Sequence, residues 1–256
     1  MMRIDHIAIS HLHGDHYFGL FGLLSTYNLL GRTRALNLYG PAPLQDLISA
    51  QEAAGETVRG YPLHFHATST DSPAVLFEDA TVKLESFPVR HRIPTTGFLI
   101  REKPKEPGVK RAWVSEWNLQ PTEILTLKKG EDVRREDGTV IPFSEACHKP
   151  PRPRSYAFAA DTRYWAKVVE WVRGVDLLYH EATFLHAMKQ RAEKTFHTTA
   201  LQAGRLAKEA GVGRLIMGHI SARYEGPDLH LEEAMSVFPD TVAAQDGMVI
   251  EVKQRC

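Results

Sequence analysis

The stretch Ser10-His11-Leu12-His13-Gly14-Asp15-His16 puts three imidazoles and a carboxylate into six consecutive positions, directly after the apolar run Ile7-Ala8-Ile9. Histidine is the commonest metal ligand, and an aspartate beside imidazoles makes an N,O donor set suited to zinc or manganese. In an extended turn His11 and His13 project to the same side, while Asp15 and His16, beyond the flexible Gly14, turn toward a second position. Two pairs of donors suggest two metals. Because the cluster lies between a strand pattern and a helix pattern, it reads as a built strand exit rather than a solvated histidine-rich loop.

Apolar spacing around the cluster alternates between strand and helix. Residues 3–10 read as a short buried strand, and 17–30 place Leu20, Leu23, Leu24 and Tyr27 at helical spacing before Gly31. A strand over 36–39 follows, then a helix over 44–54 entered through Gly40-Pro41 and stopped at Gly55. Between 61 and 89 the period changes to two, which predicts antiparallel strands. There His64 and His66 form an H-x-H pair, a rival metal site with no carboxylate beside it. Beyond 155 the alternation returns, with strands over 156–160, 175–179 and 214–218 and helices around 165–172 and 200–210. A last hairpin is expected to pair 241–244 with 248–252 across Asp246-Gly247. This is the pattern of an α/β fold.

The length of 256 residues suits one large domain. Acidic and basic residues balance at 31 each, so no global charge advertises a nucleic-acid or membrane-surface protein, and any basic footprint must be local. Residues 101–155 supply one: they hold 12 Lys/Arg against 9 Asp/Glu and are rich in proline. They read as a basic, partly extended arm inserted into the domain, with short hairpin strands over 108–114 and 136–141 and a grip on a phosphate backbone as its use. Only Cys147 and Cys256 are present, too few for a disulfide framework. The start has no signal-peptide apolar region and no run approaches membrane-spanning length, so the chain reads as cytoplasmic and reduced.

Five apolar runs end in residues able to bind metal or move protons: the 11–16 cluster, His91, Asp161, His180-Glu181 and His219. Open α/β sheets gather their sites at strand ends, so these positions converge although far apart in sequence. Together they supply donors for two metal sites, with an aspartate as the bridge. A two-metal site suits hydrolysis, since the ions lower the pKa of a water and clamp the attacking and leaving oxygens of a phosphodiester. Arg223 could neutralise a phosphate oxygen through its planar fork, and Ser221 adds a hydroxyl donor.

His11-Leu12-His13-Gly14-Asp15-His16 resembles the H-x-H-x-D-H signature of the metallo-β-lactamase superfamily. Ala160-Asp161-Thr162, His180-Glu181-Ala182-Thr183 and His219-Ile220-Ser221-Ala222-Arg223-Tyr224 are similar to motifs of its ribonuclease Z family, the tRNA 3′-end endonucleases. The resemblance implies a four-layer αββα sandwich with two zinc ions. One would take His11, His13 and His91, the other Asp15, His16 and His219, with Asp161 bridging. Asp15 would also orient or deprotonate the attacking water, and Glu181 with His197 would protonate the leaving 3′-oxygen. It further implies a precursor tRNA substrate, a homodimer with one subunit's arm near the other's site, and no membrane association.

Two departures from the family pattern stand out. The chain begins only ten residues before His11, where the family carries strands and a helix, so the expected sandwich lacks its first strands; Met1-Met2 reads as an internal methionine pair of a truncated gene. The stretch Leu119-Gln120-Pro121-Thr122-Glu123-Ile124-Leu125 lacks the Gly-Pro-rich tip of the family's arm, although Leu127-Lys128-Lys129-Gly130 remains similar. The rivals to tRNA 3′-trailer removal are a small phosphodiester or sulfate ester hydrolase on the same scaffold and an inactive, truncated RNA-binding remnant.

Overall fold

In the computed structural model, which describes residues 2–253, the histidine cluster joins a strand to a helix. β1 (His6–Ala8) leads through 9–12 to His13, which caps α1 (Gly14–Leu29) in an extended conformation at φ −72° and ψ 140°. The helix starts earlier than its apolar spacing predicts. Asp15 and His16 therefore belong to its first turn, where a carboxylate complements the free backbone N–H groups. That helical turn brings both up to His219, with the His16 ring 4.1 Å from that of His11 between centres.

β2 (Leu36–Gly40), α2 (Pro43–Ala54) and β3 (Leu63–Ala67) complete a three-stranded sheet in the order β1-β2-β3, parallel throughout. The antiparallel reading of 61–67 is thereby corrected. α2 carries the chain back across the sheet between β2 and β3, and a crossover of this kind delivers the next strand parallel. α1 and α2 cover the outer face with Leu20, Leu24, Tyr27, Leu44 and Ile48 against Leu36 and Leu38.

β4 (Ala74–Glu78), β5 (Val82–Pro88) and β6 (Thr96–Glu102) form an antiparallel meander, as their alternation predicts. They belong to a seven-stranded sheet that takes in β11 (Ser155–Ala159), β12 (Leu177–Glu181), β13 (Arg214–Gly218) and β14 (Thr241–Ala243) in the order β14-β13-β12-β11-β6-β5-β4. β11 to β14 run parallel, connected through α6 (Lys167–Trp171), α7 (Lys189–Thr195), α8 (Ala200–Ala210) and α9 (Asp228–Met235). The inner faces of the two sheets meet over Tyr39, Leu84 and Phe98, and the helices bury Val168, Leu206 and Ala234 against the outer face of the large sheet. The layers are thus helix, sheet, sheet, helix. α8 has clear local signals: Thr199 and Gln202 cap its start reciprocally, and Gly211 ends it at φ 61°.

Residues 103–150 are a small folded lobe instead of an extended arm. It contains β7 (Gly108–Val109), α3 (Arg111–Glu116), α4 (Pro121–Lys128), β8 (Val133–Arg134), β9 (Val140–Ile141), α5 (Phe143–Ala146) and β10 (Cys147–His148). Leu119, Leu127, Val133, Ile141 and Cys147 give it a core of its own. The expected strand over 108–114 is only two residues long and pairs with β10; Trp113, Val114 and Trp117 lie at helical spacing, and α3 turns them onto that core. The hairpin across Asp137-Gly138 is present, with Val133-Arg134 as its first arm. The expected terminal hairpin is absent among the described residues. β14 pairs in parallel with β13 and 248–252 form no strand; Asp246-Gly247 turns the chain away from the sheet edge.

Register brings the site together. His180 of β12 lies opposite Ala159 and Met217, and Glu181 opposite Gly218. Asp161 and His219, each just beyond a strand end, are consequently level with one another. Thr96 N–H donates to the Ser10 carbonyl at 3.1 Å, tying the first cluster to the large sheet.

Candidate active site

His11, His13 and His91 converge with Asp161. His11 Nε2 lies 3.1 Å from His13 Nδ1, His91 Nε2 lies 3.2 Å from the same atom, and Asp161 Oδ2 stands 3.8 Å and 3.9 Å from His11 and His91. A second group consists of Asp15, His16 and His219, with His16 Nε2 3.4 Å and His219 Nε2 3.9 Å from Asp15 Oδ2. Asp161 Oδ2 stands between them, at 3.4 Å from His16 Nε2 and 3.2 Å from His219 Nε2, and also makes a third donor group with His197 and His219. A tetrahedral ion with donors at roughly 2.0–2.1 Å separates them by about 3.3 Å, so the observed spacings fit metal ligands. His16 Nε2 is buried and faces a carboxylate oxygen of each aspartate, as a donor atom shared around one cation would.

The outer nitrogens are tied down, which fixes ring orientation. His91 Nδ1 pairs with the Phe196 carbonyl at 3.0 Å, His219 Nδ1 with Thr183 Oγ1 at 2.9 Å, and His11 Nδ1 with Ser10 Oγ at 3.1 Å. Burial, aided by the neighbouring His16, pushes His11 down to about 3, so it is a neutral imidazole with a free lone pair at physiological pH. Burial acts to raise Asp161, but His16, His219 and His11 outweigh it and hold the carboxyl at about 2. His11 and Asp161 are thus in the protonation states that bind cations.

Behind the metal groups lies a carboxylate–imidazole pair. Glu181 is fully buried and accepts from His197 Nδ1 at 2.8 Å, Thr162 N–H at 2.7 Å, Thr198 N–H at 3.0 Å and Thr183 Oγ1 at 2.6 Å. Burial opposes a charged His197 ring, yet the hydrogen bond and charge of Glu181 prevail and raise its pKa. Phe196 and His219 sit in the left-handed region at φ 60° and 58°, a conformation that costs about 1–2 kcal/mol in a non-glycine residue. Arg223 is exposed; its Nε donates to Ser221 Oγ at 2.9 Å and its guanidinium lies over the Phe184 ring at 5.0 Å. Ser221 N–H donates to the Thr183 carbonyl at 3.2 Å, so this loop joins the same network.

The structure thus gathers the expected metal donors into adjoining groups and leaves the rival pair outside. His66 Nε2 pairs with Asn37 Oδ1 at 3.1 Å, and His64 is exposed on β3. His180 is also excluded. Strand alternation turns it to the face opposite Glu181, where it is buried with Nδ1 paired to the Glu181 carbonyl at 2.7 Å. Sequence reasoning gave no separate part to Thr183, which bridges Glu181, His197 and His219. Its place two residues after Glu181 at a strand exit was the available signal.

No family model matches the chain. Curated relatives match nearly all of it: ribonuclease Z of Bacteroides fragilis strain YCH46 is 41% identical over 250 residues, covering 98% of this chain and 82% of the relative. Ribonuclease Z of Cytophaga hutchinsonii is 42% identical over 243 residues, covering 94% and 77%. The chain belongs to the ribonuclease Z family. Among solved structures, the short form of human tRNase Z aligns with a TM-score of 0.67 at 25% identity, covering 98% of this chain and 80% of that one. The metallo-β-lactamase fold protein YhfI of Bacillus subtilis aligns at 0.63 and 20% identity, covering 96% and 78%, so the αββα layers are the metallo-β-lactamase fold. In this family and fold, His/Asp groups able to hold a metal ion support a divalent metal cofactor.

Proposed function

We propose that this chain is a zinc-dependent endoribonuclease that removes the 3′ trailer from precursor tRNA and leaves a 3′-hydroxyl on the tRNA. The convergence of two donor groups on Asp161, beside the buried Glu181 and its half-buried partner His197, carries the reading. His11, His13 and His91 would hold one ion, Asp15, His16 and His219 the other, and Asp161 would bridge them; the same donors also accept manganese. Such ions supply Lewis acidity and a water of lowered pKa.

The chain's own groups account for the proton movements. Asp15, whose side chain is 70% exposed, faces the opening and takes a proton from the attacking water. His197, whose hold on its proton Glu181 strengthens, donates to the 3′-oxygen as its bond to phosphorus breaks. Arg223 and Ser221 neutralise and orient the non-bridging phosphate oxygens. The folded lobe is read as the insertion that grips tRNA, from its place in the chain, since residues 103–150 hold 9 Lys/Arg against 8 Asp/Glu, on a chain that otherwise forms one domain. A homodimer and a cytoplasmic setting complete the reading; among the described residues no helix is long and apolar enough to cross a membrane.

The test is cleavage of a precursor tRNA with its product ends mapped, beside an Asp161→Ala control. Cutting next to the acceptor stem that vanishes in the control supports the function. Absence of cutting by a folded, zinc-loaded sample that hydrolyses a small diester would assign the site to small esters instead.

A further inference from the structure

Positive charge at the mouth of the site is not used by the chemistry just described. Arg90 and Arg92 flank His91 where the chain leaves β5; His91 turns inward, and both arginines are exposed. The loop after β11 is tied to this segment at two points: Arg163 N–H donates to the Arg90 carbonyl at 2.9 Å, and Arg90 N–H donates to Thr162 Oγ1 at 3.0 Å. Aromatic rings support the cations. Arg90 lies 4.4 Å from the Trp165 ring centre, Lys167 5.9 Å from the same ring, and Arg163 5.1 Å from that of Phe196.

Among the described residues no carboxylate lies within ion-pair distance of Arg90, Arg92, Arg163 or Lys167, so no close neighbour neutralises them. Four cations held on one side of an opening, in a chain of zero net charge, make a local field that attracts a polyanion. The ledge is continuous with the site. Phe196 immediately precedes His197, the His91 and His197 rings are 5.1 Å apart, and the charge of Arg92 reaches His13.

We propose that Arg90, Arg92, Arg163 and Lys167 form a ledge for backbone phosphates of the tRNA on the 5′ side of the cut, the strand that retains the 3′-hydroxyl. The direction rests on the function proposed above: the nucleotide that owns the leaving oxygen must stand within hydrogen-bond reach of His197, and its 5′ neighbours then cross the ledge beside it. Ser221 and Arg223, on the His219 side, are left to the scissile phosphate. The aromatic supports hold the Arg90 and Arg163 guanidinium groups in place, so little freedom of these two side chains is lost when phosphate arrives.

The zinc-loaded full chain is titrated with a tRNA transcript ending at the cleavage position, with the precursor, and with a free trailer oligonucleotide, across a range of salt. Each phosphate contact contributes about 0.7–0.9 to the slope of log affinity against log salt. Arg90→Ser with Arg163→Ser is therefore expected to flatten that slope by about 1.4–1.8 for the transcript, and to weaken its binding about 25–60-fold at roughly 0.1 M salt. Arg90→Lys with Arg163→Lys keeps most of the slope. Unchanged binding of the transcript by the serine pair overturns the ledge and leaves the function standing. Weaker binding of precursor and trailer alone overturns its assignment to the tRNA side. A wild-type chain that binds neither transcript nor precursor removes ledge and function together.

Discussion

Replacing Glu181 with Gln tests the acid pair, because the carboxylate is buried and its five hydrogen-bond partners, Thr162 N–H, Thr183 N–H, Thr198 N–H, Thr183 Oγ1 and His197 Nδ1, surround it. An amide of the same shape turns one accepting oxygen into a donor and leaves at least one buried N–H without an acceptor. An unsatisfied buried donor costs about 1–3 kcal/mol, and that is the expected loss of stability. The charge is lost as well. Glu181 is what raises His197 against the opposing effect of burial, so without it the imidazolium is disfavoured. An acid must hold its proton to donate it; hence the alkaline limb of kcat moves to lower pH, and at neutral pH kcat falls by about 10²–10⁴. His197→Ala produces a similar fall and the double variant little more, since the two groups act as one. Single-turnover cleavage of precursor tRNA over about pH 5.5–9 reads the limb. A small diester with a nitrophenolate leaving group needs no protonation and is the control. An unmoved alkaline limb, with the nitrophenyl diester lost to the same degree as RNA, would refute the acid role and reduce Glu181 to a structural anchor.

Chelation is expected to lower the melting temperature: metal at about 1,000 times its dissociation constant contributes about 4 kcal/mol per site, or about 8–16 °C for a chain of this size, and calorimetry with and without zinc checks it. Gly204→Ala is expected to destabilise by about 1–2 kcal/mol despite the better helix propensity of alanine, because its Cβ would lie 2.8 Å from the Ala234 carbonyl and 2.8 Å from Val237 Cγ2; urea denaturation measures it. Glu102 is held at about 2 by Arg154, from a usual 4.5, so its contribution is full above pH 4.5 and is lost as pH falls toward 2. With the two side chains 29% and 40% exposed, solvent screening limits this to about 1 kcal/mol, and Glu102→Gln should be less stable than the wild type by that amount at neutral pH and by much less near pH 2.5, with both compared metal-free.

Periodicity made β11, β12 and β13 and the helices α6 and α8 legible, because each carries its own apolar run, whereas α9 and the parallel pairing of β14 were not. The lobe was less so. Its core residues belong to two-residue strands and helices of at most 8 residues, too short for a period to stand out, and its charged, proline-rich surface reads as a linker. The direction of β3 was misread for a related reason: an alternating run reports that one face is buried, but the crossover through α2 decides whether the strand arrives parallel.

Metal donors were legible because their chemistry is rare and their positions follow strand ends; a histidine or aspartate just past an apolar run can only point into the crevice there or cap the next element. The same rule, applied to His180, does not distinguish it from Glu181. Only the strand register does: with Glu181 opposite Gly218 and His180 opposite Met217, one side chain enters the site and the other the helix-side core. Gly218 makes this possible in a further way, since a Cβ there would collide with the Tyr179 hydroxyl, so the strand that delivers His219 packs close to the one that delivers Glu181. The left-handed turn at His219 then bends its ring back toward Asp161, 3.2 Å away, while Thr183 holds the other nitrogen. Neither the turn nor the hydroxyl bridge has a periodic signal, since both depend on which strand lies beside which. The strain at His219 persists because the hydrogen bond and the level ends of three parallel strands leave the ring no other place to go.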